Sequence, residues 1–312
     1  MSMTKKTIRV FLLTLLTCSM SSCWEDDIMP EEQPSQPESS ISLLQDGKWH
    51  EFIFNGYQPL ASKPINVCYY IPQGQKTSTM RMLFILPGES RNASDHLEIF
   101  IDWANSNKVM IFALQYSEQY YPSTTEYILG GMNTKQSATG LLPREQWSFN
   151  YVESLFDELK ASTNSNQTTY DMWGHSAGAQ FVHRYVTFMP QAHVRKAVAC
   201  NSGWYTMPDL NATFPYGFSP VEGADSDMQK TLLGRQIYVF VGGDDTSTVG
   251  LNNNPGSVEQ GENRNQRGHY YFQRSQAIAS EKGYPFNWQF GEVPGVGHDP
   301  VGMAKGSWKV LE

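Results

Sequence analysis

Tyr170-Asp171-Met172-Trp173-Gly174-His175-Ser176-Ala177-Gly178-Ala179-Gln180-Phe181 is the stretch on which the reading of this chain turns. Residues 169–173 read as a buried strand, and from Ala177 to Phe188 the apolar residues recur at helical spacing. Between these runs two glycines flank His175-Ser176-Ala177, so the chain turns from strand to helix within a few residues and holds a serine hydroxyl out at the bend. The five-residue Gly-x-Ser-x-Gly pattern is weak by itself. The strand before it, the helix after it and its central place in the chain are independent requirements, and the sequence meets each of them.

Outward from this turn, short apolar, β-branched or aromatic runs lie at 49–54, 65–71, 81–86, 109–115, 197–200, 236–241 and 288–293, which with 169–173 make eight strands. Helical patterns fall at 94–106, with Ser94 as cap, and at 144–161, 177–188 and 268–280. Alternating strand and helix predicts an α/β fold, an eight-stranded mostly parallel sheet with helices on both faces and the first two strands as an antiparallel hairpin at one edge. Long connections at 116–143, 201–235 and 242–267 all leave the carboxyl ends of strands, the edge of an open α/β sheet where ligands bind.

A serine hydroxyl needs a base to take its proton, and a neutral imidazole is the usual one. Of seven histidines, His298 follows the last strand in Val293-Pro294-Gly295-Val296-Gly297-His298, where glycines let the loop turn back toward Ser176. His96 is the runner-up. His183, seven residues beyond Ser176 on one helix, is about 10 Å away along the axis. The base needs a carboxylate to hold its tautomer. Asp244 and Asp245 end the seventh strand, and Asp245 is the choice over Asp244, giving the chain order Ser176, Asp245, His298. Two donors for an oxyanion come from the backbone N–H of Ala177 and, in Leu86-Pro87-Gly88-Glu89-Ser90, that of Glu89. The long loops carry Tyr121, Trp204 and Tyr205, whose faces suit a sugar ring or a phenolic acyl group; the alternative is that they pack the loops onto the body.

From about Trp49 to His298 the chain resembles the esterase and depolymerase branch of the α/β-hydrolases, where polyhydroxybutyrate-depolymerase-like and feruloyl-esterase-like proteins belong. The shared pieces are Leu86-Pro87-Gly88, the turn at Ser176, Asn201-Ser202-Gly203-Trp204-Tyr205, Gly242-Gly243-Asp244-Asp245-Thr246 and Gly295-Val296-Gly297-His298. Many members carry His-Gly where this chain has Pro87-Gly88, which bears on the second oxyanion donor. The resemblance implies the α/β-hydrolase fold and cleavage of a carboxylic ester through an acyl-enzyme on Ser176. It is specific to the fold and not to a substrate.

The first residues place Lys5, Lys6 and Arg9 before an apolar run over 10–16, then small residues up to Cys23. This order predicts an export signal over 1–22; the run is too short to span a membrane. Met20-Ser21-Ser22-Cys23 resembles a bacterial lipoprotein processing site, which implies lipid on Cys23 and a protein anchored to the membrane outside the cytoplasm. Trp24-Glu25-Asp26-Asp27 resembles a signal for the outer membrane or cell surface, or is solvated linker. Residues 23–42 have the composition of a flexible tether, leaving 43–312 as the catalytic domain. The chain has 23 basic and 31 acidic residues; without Lys5, Lys6 and Arg9 the balance is 20 against 31, a net charge of −11, which argues against nucleic acid as a partner. Cys68 and Cys200 look like core. No metal-ligand cluster or phosphate-cradling loop occurs, and no cofactor is expected.

The expected function is serine esterase action on acetyl- or feruloyl-type groups of a polysaccharide or oligosaccharide. Two alternatives are a surface glycan-binding lipoprotein without turnover and a peptidase using the same residues.

Overall fold

A computed structural model describes residues 44–312. The export signal, Cys23, the tether and Leu43 lie outside the described residues. The strands are β1 Trp49–Phe54, β2 Ile65–Tyr70, β3 Arg81–Leu86, β4 Val109–Gln115, β5 Tyr170–His175, β6 Val194–Cys200, β7 Ile237–Gly242 and β8 Gln289–Val293. They pair in the order β1-β2-β4-β3-β5-β6-β7-β8. The β1–β2 and β2–β4 pairs are antiparallel and the others parallel. β1 is thus an edge strand of a hairpin, and β5 lies inside the sheet.

The helices are α1 Ala93–Ile99, α2 Ile101–Asn107, α3 Thr124–Ile128, α4 Asn150–Thr163, α5 Ala177–Phe188, α6 Ser226–Leu233, α7 Pro255–Val258, α8 Arg264–Lys282 and α9 Pro300–Ser307. They cover both faces, because the sheet is apolar on both. Met82, Phe84 and Leu86 of β3 join a core layer with α4, α5, α6 and α8, while Leu83 and Ile85 between them join a second layer with α1, α2 and α9. Every residue of α5 is buried, so the helix that follows Ser176 is held from all sides. Cys68 and Cys200 are buried free thiols in the second layer.

Several boundaries differ from the sequence expectation for identifiable reasons. The helix expected at 94–106 is two helices broken at buried Phe100, whose ring lies 5.0 Å from that of Trp173. Its cap is Asn92, whose side chain accepts from Asp95 N, and not Ser94. β6 starts at Val194, ahead of its apolar part, because Arg195 can enter the sheet by donating to Asp171 at 2.9 and 2.5 Å. α8 starts at Arg264 rather than Gly268, capped by the side chain of Asn263. α6 lies inside a connection read as loop, capped by Asp225.

Candidate active site

The strand-to-helix bend at Ser176 is sharp because its neighbours leave it no other course. Ser176 has φ 57° and ψ −116°, a strained conformation for a residue with a side chain. Its N–H donates to Cys200 O on the adjacent strand at 2.9 Å. A Cβ on Gly178 would lie 1.9 Å from Leu86 O, and one on Gly174 would lie 2.5 Å from the backbone of Gly178. Only glycine at both positions lets β3, the bend and α5 pack this closely.

The loop after β8 brings His298 to the bend, with Nε2 2.9 Å from Ser176 Oγ. The other ring nitrogen, Nδ1, is 2.7 Å from Asp245 Oδ2. Since an ionised carboxylate only accepts, Nδ1 carries the proton and Nε2 is free to accept from the serine hydroxyl. Asp245 is buried whereas Asp244 is exposed. Asp244 N donates to Val296 O at 2.9 Å, tying the two loops together and turning Asp245 inward. Asn201 completes the tie, accepting from Gly242 N at 2.7 Å and donating to Gly297 O at 3.1 Å.

His96 is not at Ser176. It is buried beneath the β3 loop, where its Nε2 accepts from Gly88 N at 3.4 Å. That contact occupies the Gly88 N–H. The Glu89 N–H has no backbone acceptor among the described residues, and the Ala177 N–H, first in its helix, has none within the helix. Tyr127 fixes the loop by donating from its hydroxyl to Pro87 O at 2.8 Å. His175 lies under the site with its ring 4.7 Å from that of His298, and burial first, then the neighbouring His298, pushes its pKa well below the ordinary value. His183 is buried, its Nε2 accepting from Thr206 N, and takes no part at Ser176.

A crevice of about 700 Å³ opens over Ser176, lined among others by Glu89, Ala177, Gln180, Trp204 and Arg264. Its walls come from the long loops, and Gln136 Oε1 accepts from both Asn252 and Asn254 across it, at 2.6 and 2.9 Å. Of the three aromatic residues expected to contact substrate, Trp204 lines the crevice, but Tyr121 and Tyr205 do not. Tyr121 is buried, its hydroxyl donating to Lys63 O at 2.7 Å and its carbonyl accepting from Arg91. Tyr205 is buried in a stack on Tyr271, with ring centroids 4.3 Å apart. Both belong to the small core a long loop needs to hold its own shape. The sequence reading missed Arg264, whose Nη1 is 3.5 Å from Asp245 Oδ1. It lies in the first turn of α8, which has no apolar periodicity, although Asn263 followed three residues on by Gln266 is a capping pattern that could have marked it. Among the described residues, no group of three or more His, Cys, Asp or Glu side chains could hold a metal ion.

No protein-family model and no curated protein sequence matches the chain. Solved structures do. Poly(aspartic acid) hydrolase-1 from Sphingomonas sp. KT-1 is 34% identical with a TM-score of 0.80, over 86% of this chain and 99% of that one. LpqC, a poly(3-hydroxybutyrate) depolymerase from Bordetella parapertussis, is 28% identical with a TM-score of 0.78, over 85% of this chain and 89% of that one. An IroE-like serine hydrolase from Shewanella oneidensis, 11% identical with a TM-score of 0.52 over 83% and 78% of the two chains, shares the fold. With a serine, a histidine and an aspartate in one hydrogen-bonded row at the bend of this sheet, and relatives of this identity over nearly their whole length, the chain belongs to the serine hydrolases of the α/β-hydrolase fold.

Proposed function

We propose that the protein hydrolyses carboxylic esters of hydrophilic, acyl-decorated oligosaccharide or polysaccharide through an acyl-enzyme on Ser176. The observation that carries this reading is the Ser176–His298–Asp245 row, at 2.9 and 2.7 Å, opening into a crevice edged with side-chain amides. His298 Nε2 takes the proton as Ser176 Oγ attacks the ester carbonyl, and Asp245 stabilises the imidazolium that results. The oxyanion is held by the N–H groups of Ala177 and Glu89, which face negative charge only once the tetrahedral intermediate forms. His298 then gives its proton to the leaving alcohol, and water attacks the acyl-enzyme with the same base in the same role.

A glycan-borne ester is supported by the polar lining of the crevice; Trp204 borders it but is itself buried, with the Arg184 guanidinium 3.9 Å from its ring centroid. A linear polymer of repeated acyl units is a second reading, supported by the polymers for which the two most similar relatives described above are named. The lipid anchor on Cys23 and a place at the outer membrane or cell surface are part of the proposal and rest on the sequence of the first residues.

The test is turnover of 4-nitrophenyl acetate and butyrate, then of acetylated and feruloylated oligosaccharides, with Ser176→Ala alongside. The substitution is expected to lower kcat by about 10⁴-fold or more while the fold persists. Wild-type rates equal to those of Ser176→Ala would return the glycan-binding reading. Cleavage of long-chain lipid esters alone, with the glycans ignored, would sink the substrate assignment.

A further inference from the structure

Three buried arginines hold the loops around the crevice by spending donors on main-chain carbonyls. Arg91 donates to Tyr116 O and Tyr121 O, Arg184 to Ile128 O, and Arg267 to Gly203 O and Asn252 O. Arg264 does not. Its side chain is 12% exposed and lines the crevice, yet its one polar contact among the described residues is the 3.5 Å approach of Nη1 to Asp245 Oδ1. Asp245 commits its other oxygen to His298 at 2.7 Å. Arg264 Nε is buried with no partner, and Nη2 donates to no group among the described residues. A buried guanidinium Nε without a partner is costly, and the fork beside it faces the crevice with donors to spare. Its planar fork suits a carboxylate.

A second donor lies one turn beyond the nucleophile. Gln180 Oε1 accepts from Arg184 Nη1 at 3.3 Å, which fixes the amide and leaves Nε2 as a donor without an acceptor among the described residues. Gly203 makes room for it, since a Cβ there would lie 2.9 Å from Nε2. Lys135, exposed, adds a cation to the same crevice, whose one lining carboxylate, Glu89, already accepts from Thr124 Oγ1 at 2.9 Å. Two cations to one carboxylate is the reverse of the chain as a whole, which has a net charge of −8.

We infer that Arg264, with Gln180 Nε2 as a second donor, forms a carboxylate-binding subsite in the active-site crevice, so that the natural ester bears a free carboxylate near the bond that breaks. This rests on the serine-hydrolase reading of the site. A carboxylate on Arg264 would also draw the guanidinium's charge away from Asp245, leaving Asp245 to act on His298 alone.

The experiment compares matched esters on the full chain. Mono-4-nitrophenyl adipate and its methyl ester place or cap a carboxylate in the acyl half; acetyl glycolate and its methyl ester do so in the alcohol half. For at least one pair, the wild-type ratio of kcat/KM, charged over capped, is expected to be about 10- to 100-fold. Arg264→Gln should bring that ratio to about 1, with Arg264→Lys between; the ratio cancels any general effect on the triad. A wild-type ratio at or below 1 for both pairs, which needs no variant to measure, overturns the subsite. So does a ratio that Arg264→Gln leaves as it was. Turnover of no ester at all, charged or capped, would remove the hydrolase reading and the subsite with it.

Discussion

Ser176 occupies a backbone conformation that costs a residue with a Cβ about 1–3 kcal/mol, and it persists because its surroundings over-determine it. The N–H bond to Cys200 O and the contact of Gly178 with Leu86 O leave no relaxed alternative. Such a residue is legible from sequence, since the glycines that permit the bend are part of the pattern. The acid is less so. The sequence narrows it to Asp244 and Asp245, but what separates them is the bond from Asp244 N to Val296 O, a long-range contact no local pattern records. The two aspartates should therefore behave differently when each is changed to asparagine. Asp245→Asn keeps the shape but favours the wrong tautomer of His298, and kcat on 4-nitrophenyl butyrate is expected to fall by about 10⁴-fold. Asp244→Asn leaves an exposed side chain of similar size, and the rate should stay within about threefold. The reverse ranking in steady-state kinetics would reassign the acid.

The long connections were recognisable as elements because they all leave the carboxyl ends of strands, but how they hold themselves up was not. Their tyrosines read as ligand contacts, and two of the three aromatic residues singled out proved to be the loops' own packing. Their arginines were not singled out at all, since a buried arginine bonded to carbonyls has no sequence signature distinct from a surface one. Arg267 is the clearest case: it donates to Gly261 O and Gly203 O at 2.8 and 2.7 Å and to Asn252 O at 2.9 Å, pinning the connections after β6 and β7 to the start of α8. Arg267→Met keeps much of the apolar stem and orphans three carbonyls, each worth about 1–3 kcal/mol where water cannot reach it. The expected result is a lower Tm, faster proteolysis within residues 242–263, and a KM for ester substrates raised more than kcat is lowered. A variant that melts earlier but keeps its KM would mean that Arg267 holds the fold and not the crevice.

At the scale of the whole molecule, the alternation of strand and helix was enough to read a mostly parallel sheet covered on both faces, because a strand such as β3, apolar at successive positions, must feed two core layers. The same double burial also traps polar groups that no periodicity predicts, and it ties stability to pH. His175 and His183 are buried, and burial, with neighbouring cations, lowers both pKa values well below the ordinary 6.5. Well above pH 6.5 these rings are neutral in the folded and the unfolded chain, and they contribute no pH dependence. As pH falls below 6.5 the unfolded chain takes up protons that the folded chain refuses, so stability declines. Well below pH 6.5 each ring's contribution approaches about 1.4 kcal/mol per pH unit, and the two together come to about 2 kcal/mol between pH 6.5 and 5.5. His96, lowered chiefly by burial, pulls in the same direction. Denaturant unfolding should therefore show a lower midpoint at pH 5.5 than at pH 7.5, and His183→Gln should reduce the drop by roughly a third to a half even if that variant is less stable at both. A midpoint that holds steady across this window would mean that His175 and His183 are both already protonated in the folded protein, each with a partner that the packing would have to supply.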